Sequence, residues 1–127
     1  MIATRQDTLS ADQLYLEARG LWVKAVKRCI YDSEDIICRV MALLERARQQ
    51  NPRHVRTLVL LSDLLMQLGA ADEAMELVNL LLRLQPNHPT HLRKKALLHQ
   101  LNSKHGSDHQ DEIREFIETR WMTTNDW

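Results

Sequence analysis

Pro52 and Pro86 stand 34 residues apart, and each follows an Asn or Gln at the end of a run whose apolar residues recur with a helical period. A proline disfavours helical geometry in the residue before it, so each one closes a helix. Only three Gly and three Pro occur in 127 residues, too few to turn the corners of a β-sandwich or barrel. An all-α chain is expected, of a length that builds one core. Apolar residues make up 44% and aromatics only 5%, so that core must be built from Leu, Ala, Val, Ile and Met.

Helix starts and stops divide the chain further. Ser10 and Gln13 form a capping box ahead of Leu14, Ala18, Leu21, Ala25 and Cys29, which predicts a first helix over about 11–31. Gly20 inside it is expected to mark a bend or a close helix contact, with tight packing preferred. Asp32 to Asp35 ends this helix and starts the next, with Ser33 as N-cap and Ile36, Val40, Leu44 and Ala47 inward. A third helix over about 53–68 carries Leu58, Leu61, Leu65 and Leu68 and stops at Gly69. A fourth over 71–84 carries Ala74, Leu77, Val78, Leu81 and Leu84. Pro89 opens a fifth, which runs to about Leu101 with Leu92, Ala96 and His99 inward. Ser107 and Gln110 repeat the capping box before Ile113, Phe116, Ile117 and Trp121. Residues 1–10 are expected to be a flexible lead, 11–122 the domain, with helix pairs at about 11–50, 53–84 and 89–122, and 123–127 a loose tail.

The 34-residue spacing invites a search for self-similarity. Counting from Val55, Leu58, Ser62, Gly69, Ala74 and Pro86 fall at the fourth, eighth, fifteenth, twentieth and thirty-second positions of a helix pair, with Leu61 and Leu65 between. This unit resembles the tetratricopeptide repeat (TPR). The unit before it ends in register at Ala47 and Pro52 but puts Arg28 and Val40 where small residues belong. The unit after it begins in register with Leu92 and Ala96, then runs into a loop about five residues too long. The resemblance implies antiparallel helix pairs stacked as a short right-handed superhelix of about six helices, with diverged outer units.

In that family the first helices of the pairs line a concave face that binds protein segments. Carried over, the binding residues are Trp22, Arg56, Val59, Leu60, Asp63, Met66, Gln67, Arg93 and Lys94, with Ala25, Val26, Cys29, Thr90 and Leu97 beside them. Val59, Leu60 and Met66 lie off the Leu58, Leu61, Leu65 stripe, so the third helix is apolar over more than one face. Either it is sandwiched in the centre of the protein or it lines an apolar groove. Arg93, Lys94 and Lys95 form the one run of three basic residues, either a solvated helix face or a receptor for acidic groups. Some family members clamp a terminal carboxylate with Lys and Asn, but Val59 and Asp63 hold two of those places, so that clamp is not expected. An amphipathic helix or extended apolar segment suits the lining better.

Other chemistries find less support. Lys plus Arg and Asp plus Glu are 17 each, so no net field draws the chain to nucleic acid or an anionic membrane. No leader peptide and no apolar run of spanning length is read, so a cytoplasmic protein is expected, with Cys29 and Cys38 as buried thiols. His54, His88, His91, His99, His105 and His109 lack the partners of a zinc site, although His88 and His91 can bring their rings together. No phosphate loop, nucleophile elbow or catalytic carboxylate pair is present. The expected function is a non-enzymatic, cofactor-free adaptor or chaperone that binds another protein. The alternatives are a self-associating assembly subunit, a homodimer included, with Trp127 docking on a neighbouring copy, and, ranked third, a metal-dependent enzyme using the histidines.

Overall fold

The computed structural model describes residues 9–28, 33–101, 113–119 and 121. Five helices follow one another: α1 (Ala11–Lys27), α2 (Glu34–Gln50), α3 (Val55–Gln67), α4 (Ala71–Leu84) and α5 (Pro89–Leu101). Residues 113–119 and 121 are helical again and form α6. No strand occurs among the described residues. α1 packs on α2 and α3 on α4, while α2 meets α3 and α4 meets α5. α1 also touches α3, so the first helices of successive pairs adjoin. The result is an all-α stack of helix pairs.

Local signals account for the ends. The Ser10 hydroxyl accepts from the Gln13 backbone N–H at 3.2 Å, and the Gln13 side chain accepts from the Ser10 N–H at 2.9 Å. That reciprocal pair is the expected capping box. Ser33 holds the N-cap place of α2 without a side-chain bond, so Glu34 and Asp35 in the first turn supply the favourable charge there. His54, unforeseen as a cap, accepts from the Thr57 N–H at 3.3 Å. Its other ring nitrogen lies 2.6 Å from Asp12, which ties the start of α3 to α1.

α3 closes in a Schellman motif. Gly69 takes φ 78°, and its N–H bonds the Met66 carbonyl at 3.1 Å while the Ala70 N–H bonds that of Leu65 at 2.9 Å. The turn after α4 instead places Asn87 at φ 64° behind Pro86, a left-handed geometry that Asn tolerates.

Several inward residues differ from expectation. Leu14, Ala18 and Ala25 are buried on α1, but Leu21 is 37% exposed and Trp22 takes the inner place at 0%. On α5, Leu92 is 46% exposed and Ala96 and His99 are also exposed; His91, Lys94, Leu97 and Leu98 face inward. Cys38 is exposed and free, because Ile37 and Val40 hold the buried face of α2 on either side of it. Cys29, Ser107, Gln110 and Trp127 lie outside the described residues.

Gly20 serves no close contact among the described residues, since a Cβ added there meets nothing within 4 Å. Its helix is therefore weakened without compensation from packing. Gly20→Ala is expected to raise the unfolding free energy by about 1 kcal/mol, the usual helix-propensity difference, measurable as a higher urea midpoint with unchanged slope. A loss of stability would mean that this surface is covered in solution.

Candidate functional site: the face lined by α1, α3 and α5

α3 carries ten consecutive buried residues, Thr57 to Met66, so no side of it is left to water over that stretch. One side packs on α4, whose Ala74, Val78 and Leu81 are fully buried. The other carries Val59, Leu60, Asp63 and Met66, the residues expected to bind a guest. Val59 is 3% exposed and the other three 0%. Of the two arrangements open to this helix, the molecule adopts the sandwiched one.

The cover includes a helix of the same chain. Ile113, Ile117 and Trp121, at successive four-residue steps on α6, are all 0% exposed and belong to the same buried cluster as Val59, Leu60 and Met66. Trp22 from α1 and Leu97 and Leu98 from α5 also belong to it. The Trp121 indole N–H donates to Asp63 Oδ2 at 2.7 Å, joining residues 58 apart in sequence. The last amphipathic helix therefore sits on the Asp63 side of α3.

A closed polar network lies within this apolar surround. The Lys94 ammonium is 2.7 Å from Asp63 Oδ1, with both side chains 0% exposed. The same ammonium donates to Ser62 Oγ at 2.7 Å and to the Val59 carbonyl at 2.9 Å. Its three donors thus meet three acceptors on consecutive turns of α3. Ser62 Oγ in turn donates to the Val59 carbonyl at 2.9 Å. Charged groups this deep persist only when paired and hydrogen-bonded, and here both conditions are met.

The remaining expected site residues stand at the edge. Arg56 is half-buried, its guanidinium 4.7 Å above the Tyr15 ring, which is a cation–π contact. Gln67 is half-buried at the far end of α3. Arg93 is exposed and Lys95 half-buried, so the basic run Arg93-Lys94-Lys95 splits: its middle member is an interior ion and only the flanks meet solvent. Sequence inspection missed Ser62 and Trp121 as polar partners on this face. The available signal was Asp63 itself, a carboxylate in a helix apolar on all sides, which demands a cation and a donor from elsewhere in the chain.

His88 and His91 do meet, their rings stacked with centroids 4.2 Å apart. His91 Nε2 lies 2.7 Å from the Gln85 side-chain oxygen. Among the described residues no group of three or more His, Cys, Asp and Glu is arranged to hold a metal ion. None of the described helices is long and apolar enough to cross a membrane.

Residues 39–98 match the family model of the tetratricopeptide repeat. This stretch, just under half of the chain, takes in most of α2, all of α3 and α4, and nearly all of α5, and it is a TPR segment. Repeats of this family mediate protein–protein interaction and are typically non-enzymatic. No curated protein and no solved structure matches the chain.

Proposed function

We propose that this chain is a non-enzymatic adaptor or chaperone-like module that takes an amphipathic helix of another protein on the face lined by α1, α3 and α5. Its own α6 holds that place in the absence of the partner. The supporting observation is the seating of Trp121: a helix with apolar residues at four-residue steps lies here, and its indole N–H finds a waiting carboxylate, Asp63, at 2.7 Å. A partner helix of the same pattern would use Trp22, Val59, Leu60, Met66 and Lys94 as floor, with Arg56 and Gln67 at the rim. Arg93 would stand at the outer edge and meet acidic residues of the partner.

The test uses a labelled peptide of residues 108–127 as probe. Trp121→Ala loosens the resident helix, so the full-length variant is expected to bind the peptide at least about tenfold more tightly than the unaltered chain does, a difference of about 1.4 kcal/mol. Equal failure of both to bind would show a permanently closed core and end this proposal. Because the occupant is part of the chain itself, two copies can also exchange α6, which is the self-associating alternative. Light scattering across a concentration series separates the two: an exchanged dimer grows with concentration and is lost on Trp121→Ala.

A further inference from the structure

α1 carries apolar residues on a side that none of the described helices covers. Leu16 is 48% exposed and Leu21 37%, and Gly20 between them is exposed as well. Glu17, Gly20, Leu21 and Lys24 line an open trough of about 320 Å³, with Leu43 of α2 as its far wall. α1 belongs to the first helix pair, where a stack of such pairs ordinarily presents a polar outer surface. Here the middle of that surface is apolar, and its glycine weakens the helix while a Cβ placed on it would meet nothing within 4 Å. A glycine set between exposed leucines has the form of a crossing point, where a second backbone can come close.

We infer that this side of α1 is an interface between two copies of the chain, whose first helices cross antiparallel about a two-fold axis at Gly20. The residues flanking the glycine define that occupant. In such a pair, residues equally far before and after Gly20 lie level across the axis. Glu17 stands three residues before it and Lys24 four after, so at 1.5 Å per residue they come within about 1.5 Å of the same level. Leu16, four before, and Val23, three after, do the same. At about 100° per residue, Glu17 and Lys24 fall about 60° and 40° to one flank of Gly20, and Leu16 and Val23 about 40° and 60° to the other. The two-fold sets each flank against its own kind. Each Glu17 therefore meets Lys24 of the second copy, and each Leu16 meets Val23. Glu17 and Lys24 are exposed and Val23 is half-buried, so all are placed to take part. A parallel crossing would instead oppose Glu17 to Glu17. Trp22, the α1 residue of the inner face, lies about 160° round the helix from Gly20, so this inference goes beyond the inner-face proposal and uses a different side of the molecule.

Sedimentation equilibrium of the full-length protein from about 1 µM to about 1 mM is the test, and a monomer–dimer equilibrium is expected within that range. Glu17→Lys and Lys24→Glu, each alone, oppose like charges on both sides of the axis and are expected to weaken the dimer at least about tenfold. An equimolar mixture of the two variants is expected to regain it, because every contact between unlike copies again joins opposite charges. Gly20→Gln holds the backbones apart at the crossing and is expected to weaken the dimer to the same degree. All three sites are exposed, so the variants are expected to keep the fold, and circular dichroism confirms their helicity. Unfolding at about 1 µM reports the separate monomer, so the gain in stability expected for Gly20→Ala is measured there. A monomer throughout the range, a dimer indifferent to either charge reversal, or a mixture no more associated than its components overturns the inference. So does a dimer lost on Trp121→Ala, since the copies would then be exchanging α6. The peptide of residues 108–127 remains the readout for the inner face, so failure of one proposal leaves the other standing.

Discussion

Asp63→Ala is expected to cost about 3–5 kcal/mol, more than half the stability of many domains of this size, because it takes the paired carboxylate from a Lys94 ammonium whose side chain is fully buried. Lys94 directs its donors at Asp63, Ser62 and the Val59 carbonyl, and the last two, being neutral, cannot replace the lost negative charge. The penalty belongs to the orphaned cation rather than to the pair as such. Removing both ions together, as Asp63→Leu with Lys94→Met, is expected to cost only about 1–3 kcal/mol, chiefly for the Trp121 N–H left without its acceptor. Urea denaturation of Asp63→Leu, of Lys94→Met and of the two combined gives the coupling directly. If Asp63→Ala costs less than about 1 kcal/mol, Lys94 reaches solvent and the interior ion pair is not the native arrangement.

Trp121→Ala is expected to be the other large change, at about 3–5 kcal/mol for loss of a fully buried indole. Trp121→Phe keeps most of the ring volume but withdraws the donor from Asp63 Oδ2, and is expected to cost about 1–3 kcal/mol. The gap between the two variants separates packing from hydrogen bonding. Hydrogen exchange adds the spatial information: in Trp121→Ala the amides of 58–66 on α3 are expected to exchange faster than those of α2, because α6 is what shields that side. Uniform acceleration across α2 and α3 would mean that α6 is an inseparable part of one cooperative core.

Much of the fold was legible because it is encoded locally. α4 has the predicted bounds Ala71–Leu84, and the Ser10–Gln13 box and the Gly69 stop are where the sequence placed them. Such signals act within one or two turns, so a single stretch of sequence contains them. Failures came where the outcome depends on which helix lies alongside. Leu92 and Ala96 have the right types and register for an inner face, but a residue is buried only if a neighbour covers it, and α6 packs elsewhere. Trp22 rather than Leu21 faces inward on α1 for the same reason: an apolar stripe one residue wider than needed leaves the rotation of the helix to its partners. Gly20 reads as a contact point only if a second helix crosses there, and among the described residues a Cβ added to it meets nothing within 4 Å.

The face itself was half legible. The excess apolar character of α3 foretold that Val59, Leu60 and Met66 face something other than water. What covers them rests on contacts such as the one between residues 63 and 121, and no periodicity spans that interval. The splitting of Arg93-Lys94-Lys95 is likewise invisible locally, since only the position of Asp63 distinguishes the interior lysine from its exposed neighbours. TPR register grouped Asp63 and Lys94 on one face, and the structure brings them to 2.7 Å of each other; the register did not give their pairing.

The span of the Trp121–Asp63 bond also sets a timetable for the ribosome. Fifty-eight residues separate the two partners, so at translation speeds of about 5–20 residues per second the oily side of α3 emerges about 3–12 s before its cover does. Over that interval the nascent polypeptide offers a sticky flank to every neighbour in the crowded surroundings of the exit tunnel. Slowing codons late in the message would lengthen the exposure and raise the insoluble fraction.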